Sequence, residues 1–175
     1  VISLSNAAKK KGDQKMKTNQ SKIVITSVTI VLLVLLSISF ASAEEYDALR
    51  GVKSVKVMFD MRDGIPASAA VHLKLIHDTY KEISALKKEP VFVVVFMGGA
   101  VKLISSNQTA FSTEDQKHLA EIATTISQMS KDGIHFEVCL FAVKFLGVDP
   151  ATIYPEVKQV GNGWISEIGY QAMGY

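Results

Sequence analysis

Residues 91–97 read VFVVVFM, seven apolar side chains in succession. A β-strand turns alternate side chains to opposite faces, so a strand of this kind needs apolar cover on both. The run is strand length, bounded by Pro90 before it and Gly98-Gly99 after it. Such a segment belongs in the middle of a parallel sheet with helices on both sides. Parallel neighbours need crossover connections, so the flanking sequence has to supply helices.

It does. Residues 53–61, KSVKVMFDM, alternate Val55, Val57 and Phe59 with polar Lys56 and Asp60 and read as a strand. From Pro66 to Leu86 the period changes. Ala69, Leu73, Ile76, Tyr80 and Ile83 form one helical face, with Lys74, His77, Asp78 and Lys81 on the other. STEDQ opens a second helix, where Thr113 and Gln116 fit a capping box. Its buried stripe is Leu119, Ile122, Ala123, Ile126 and Met129, and Gly133 suits a left-handed stop. Residues 134–140 read as a third strand and 140–146 as a short helix. Asp149-Pro150 caps a helical turn, 157–160 is a fourth strand, and 164–173 a last helix. Strand and helix alternate, which predicts an α/β fold with an open, mostly parallel sheet. After that last helix an edge strand is expected, so the sheet is either one strand short or continues beyond the given sequence.

The apolar excess of the chain sits elsewhere. Residues 23–40, IVITSVTIVLLVLLSISF, carry no charge and no proline. Lys17 and Lys22 precede them, and Ala41-Ser42-Ala43 follows, then Glu44-Glu45. Residues 16–43 therefore read as a signal peptide cut after Ala43, with a membrane anchor as the alternative. Residues 1–15 read as an upstream extension without a fold, and 44–175 as one domain. Localisation is expected to be periplasmic or secreted, or membrane-anchored facing the periplasm. Six of the 19 basic side chains and one of the 17 acidic ones precede residue 44, leaving 13 and 16 in the domain. With no basic surplus, nothing in the charge points to nucleic acid.

In open α/β sheets ligands gather beyond the carboxyl ends of the strands. Four stretches fall there: Asp60–Gly64, Gly98-Gly99, Cys139 and Gly161–Gly163. Cys139 is the single cysteine of the chain and stands on the side of its strand that bears His135 and Glu137. At a strand-to-helix junction it is either a reactive thiol or core filler. Asp60, Gly98, Gly99, His135, Asn162 and Gly163 complete the candidate rim. Asp60 is there as a general base or a loop cap, the glycines as an anion contact or a tight strand exit, and His135 as a partner for Glu137. No Cys/His cluster with ligand spacing occurs, so neither a metal nor a cofactor is expected. No nucleophile elbow or Ser/His/Asp arrangement is present.

Three stretches resemble the DsrE/DsrF-like family: KVMFDM before a long helix, GIHFEVCLFAVKFLGV (133–148), and VGNGWISEIGYQAMGY (160–175). The second is the most specific, with its glycine, strand, Val-Cys, short helix and glycine. The resemblance covers about Val55 to Tyr175 and is strongest to single-domain DsrE-type members, some of which carry export signals. It implies a three-layer α/β/α fold with four to five strands, a homotrimer or homohexamer, and a sulfur-relay role. In that role Cys139 accepts sulfur as a persulfide and passes it to a thiol protein partner. The alternative is a non-enzymatic small-ligand-binding or assembly module with a structural cysteine.

Overall fold

The computed structural model describes residues 46–175, so the expectations for the leader and for residues 1–15 lie outside the described residues. Strands β1 (Ser54–Met61), β2 (Glu89–Phe96), β3 (His135–Cys139) and β4 (Val157–Val160) form one sheet in the order β1-β2-β3-β4. Every neighbouring pair is parallel. Four helices connect and cover them: α1 (Pro66–Ala85), α2 (Thr113–Lys131), α3 (Leu140–Phe145) and α4 (Gly163–Ala172). The fold is the expected α/β class, with all strands parallel and four of them among the described residues.

The apolar run at 91–97 does what its composition demands. Residues Phe92 to Met97 are all buried. Phe92, Val94 and Phe96 face one side, where Leu73 and Ile76 of α1 and Leu119, Ile122, Ile126 and Met129 of α2 close over them. Val93, Val95 and Met97 face the other, with Cys139, and there Tyr170 of α4 and Tyr175 pack on them. Helices therefore lie on both faces, which makes three layers. Pro90 sits in β2 opposite Val55 of β1, three residues before the first β2–β3 pair, Val93 with His135. A proline is tolerated there because no β3 neighbour waits for its missing N–H.

Two local expectations are corrected. The cap of α2 is Ser112, one residue earlier than the predicted box; its Oγ accepts from Asp115 N at 3.1 Å and donates to Asp115 Oδ2 at 2.7 Å. The aspartate at the third helical position thus fills the place expected of Gln116. His77 is not on the solvated face of α1 but buried, with Nε2 2.6 Å from Asp132 Oδ2 at the end of α2. Tyr80 donates to the carbonyl of the same Asp132 at 2.7 Å. The polar type of His77 hides this role, because its partner comes from a distant helix end. Gly133 follows with φ +94°, a left-handed conformation that favours glycine, as its position predicts.

Candidate functional site

The second face of the sheet, the one under α4, carries the chemistry. Register places Asp60, Val95, Glu137 and Lys158 in one row across the four strands. Cys139 pairs with Val160 two residues further toward the carboxyl ends. Cys139 closes β3 and is the N-cap of α3. It is 5% exposed, so a reagent reaches its sulfur only by entering the adjoining cavity.

That cavity, of about 370 Å³, opens at the carboxyl ends of the strands. Met97, Cys139 and Ala142 stand on its inner wall, and Phe141, Phe145, Leu146 and Trp164 on the apolar outer wall. Phe141 and Phe145 stack with centroids 6.3 Å apart and planes 7° from parallel. Both are largely exposed, as is Trp164. Gly98, Gly99, Asn162 and Arg62 complete the wall.

Arg62 is the cation of the site. Its Nε donates to Asp60 Oδ2 at 2.5 Å, and its Nη2 stands 3.7 Å from Glu167 Oε1 on α4. The guanidinium is held above its ordinary value, first by the Asp60 hydrogen bond, although its burial opposes this. The charges of Asp60, Glu167 and Cys139 add to the upward shift. Arg62 is therefore a permanent positive charge on the wall of the cavity that Cys139 also lines. Glu167 is pushed up, chiefly by burial and then by the Asp60 charge, with Arg62 opposing.

The glycines act through close approach. A Cβ on Gly64 would come within 3.0 Å of the Gly99 Cα, so the loops after β1 and β2 touch backbone to backbone. The Gly98-Gly99 pair is a tight strand exit that also floors the cavity. Gly163 lies against Met97 and Cys139: its Cβ would sit 2.5 Å from Met97 Sδ and 3.0 Å from Cys139 Cβ. Asn162 caps α4, its Oδ1 accepting from Trp164 N at 3.0 Å, and so places both Gly163 and Trp164. Gly163→Ala is expected to push Met97 into the cavity and to destabilise by about 1–3 kcal/mol, the usual cost of overpacking. Urea denaturation measures the loss, and a midpoint equal to wild type would show that the close approach is not obligatory.

The structure brings together most of the residues expected at the rim. Cys139, Gly98, Gly99 and Asn162 line the cavity, Gly163 backs its inner wall, and Asp60 anchors Arg62. His135 does not belong. It lies at the amino end of β3, four residues and roughly 13 Å along the strand from Cys139. It lines a separate depression with Ser130, Glu156 and Lys158. Nor is Glu137 its solvated partner. Glu137 is buried under α4, where Tyr170 Oη donates to its Oε1 at 3.1 Å and Lys158 Nζ stands 3.5 Å away. Burial first, then the Glu137 charge, pushes the Tyr170 phenol up to about 12, so it remains a donor. Arg62 lies within the Asp60–Gly64 stretch but nothing in the sequence singles it out, and Met97, Phe141, Phe145 and Trp164 join the site only in the fold. The i, i+4 aromatic pair 141/145 was the available signal, since it places two rings on one helical face.

Fold and site together define an α/β protein with a thiol and an arginine at a carboxyl-end cavity. No protein-family profile matches the chain, and no curated protein matches it. Solved structures similar to it include that of a protein of unknown function, MTH1491, from Methanobacterium thermoautotrophicum. The two are 18% identical, with a TM-score of 0.49, over 70% of this chain and 95% of that one.

Proposed function

We propose that this protein is an exported DsrE-like sulfur carrier in which Cys139 holds a persulfide. The observation that supports it best is the placement of the one thiol against an open cavity whose lining also holds Arg62. The Cys139 thiolate attacks the outer sulfur of a sulfane donor. A new S–S bond forms as the donor's terminal S–S bond breaks, and the electron pair leaves with the donor's remaining thiolate. An acceptor thiolate on a protein partner then attacks the outer sulfur of the persulfide and regenerates Cys139. Sulfur changes hands without net oxidation. Arg62 offsets negative charge on the thiolate and on the persulfide alike. Self-association into a trimer or hexamer belongs to the same proposal, supported by the exposed Ile165 and Ile168 on the outer face of α4.

Intact-mass analysis after incubation with inorganic polysulfide tests the carrier role. Wild type is expected to gain about 32 Da, one sulfur, and to lose it on addition of a reducing thiol. A chain that keeps its original mass under these conditions refutes the carrier role and leaves Cys139 as core.

A further inference from the structure

A carrier of bare sulfur needs little more room than one sulfur atom beyond its thiol. The cavity beside Cys139 is about 370 Å³, and its outer wall is Phe141, Phe145, Leu146 and Trp164. The three aromatic residues are 71%, 78% and 59% exposed, an uncommon investment of large apolar side chains at a rim. The lining offers one cation, Arg62, and no other charged side chain, so a ligand with several charges leaves most of them without a partner there. Arg62 is tethered by Asp60 and half exposed, and Cys139 is buried at the inner wall. The site thus combines an exposed aromatic rim and one exposed cation with a buried thiol.

We infer that the sulfur donor of this site is a small organic persulfide, R–S–SH, whose R group is an uncharged aromatic or branched aliphatic body. The inference rests on the carrier role proposed above and names its substrate class. The R group occupies the space between the stacked pair Phe141/Phe145 and Trp164, and the S–SH end reaches Cys139. The Cys139 thiolate attacks the outer sulfur. The Cys139 S–S bond forms, the R–S–S bond breaks, and the pair departs as R–S⁻ facing Arg62. The proton of the transferred SH stays with the new Cys139 persulfide. No oxidant or reductant is consumed. Hydrophilic donors such as glutathione persulfide carry several charges into the same walls and are disfavoured.

The test compares benzyl persulfide, glutathione persulfide and inorganic polysulfide at equal concentration, following the one-sulfur mass gain of the full-length protein with time. Benzyl persulfide is expected to load wild type roughly tenfold faster than glutathione persulfide, the discrimination that burial of one apolar group supplies. Trp164→Ala and Phe145→Ala remove exposed side chains and leave the core intact. Each is expected to slow benzyl persulfide loading several-fold and to bring it down toward the glutathione persulfide rate, whereas Leu75→Ala, exposed on α1 and outside the cavity, leaves loading by every donor within about twofold of wild type. Size-exclusion chromatography accompanies each variant. Equal or faster loading by glutathione persulfide overturns the inference and leaves the carrier role standing. Loading by no donor overturns both. Variants that change oligomer size while the donor ratio stays fixed assign the aromatic rim to a second copy of the chain, which also overturns it.

Discussion

Replacing Cys139 by serine is expected to abolish the one-sulfur adduct completely while leaving a folded domain. The first half follows from composition: the chain has no other cysteine, so no second thiol can take over the sulfur. The second half follows from the environment. Cys139 packs with Val93, Val95 and Met97 but also lines the cavity, so a serine hydroxyl there is next to open space rather than sealed in core. The cost of a hydroxyl in that position is about 1–2 kcal/mol. Cys139→Ala, which introduces no hydroxyl, separates folding from chemistry. Both variants are measured by intact mass after polysulfide treatment and by urea denaturation. A one-sulfur gain retained by either would place the sulfur on something other than this thiol. Loss of the adduct in an unfolded serine variant and in a folded alanine variant still assigns it to Cys139.

The architecture was legible because its strongest signals are local. The run at 91–97 states by itself that both faces of its strand are covered, and the two periodic helices supply one of those covers. Cys139 was legible as a candidate for a related reason: a strand that ends at a cysteine in a parallel sheet puts it at the ligand-binding rim. The remainder of the site is tertiary. Arg62 belongs to a loop after the first strand and Glu167 to the last helix, and only the return of α4 across β1–β3 brings them within 3.7 Å. The same return buries Glu137 and leaves His135 at the far end of its strand, although the two share a face. Parity along a strand reports the face of a side chain but not which end of that face a helix will cover. Gly163 is a similar case. Its neighbours in sequence suggest a turn, whereas its small size is required by Met97 and Cys139 beneath it.

The largest loss of stability is expected from Phe92→Ala. Phe92 is fully buried at the centre of β2, and its ring meets two others edge-on: Phe59 of β1 at 5.2 Å and Tyr80 of α1 at 5.4 Å between centroids. Truncation removes the apolar surface of the ring, both aromatic contacts and the volume between sheet and helix. The rigid strands on either side cannot collapse into that space, and such substitutions cost about 3–5 kcal/mol. For a domain whose total is on the order of 5–15 kcal/mol, this is a large fraction. With urea slopes of about 1–3 kcal/mol per molar, the midpoint is expected to fall by roughly 2 M. Phe92 faces α1 and α2, whereas Cys139 faces α4 across the sheet. Under conditions where the variant is still folded, its cysteine is therefore expected to take up sulfur at close to the wild-type rate. A midpoint shift worth less than about 1 kcal/mol would contradict the packing of α1 on β2. Preserved stability with impaired sulfur uptake would contradict the separation of the two faces, on which the assignment of chemistry to the α4 side depends.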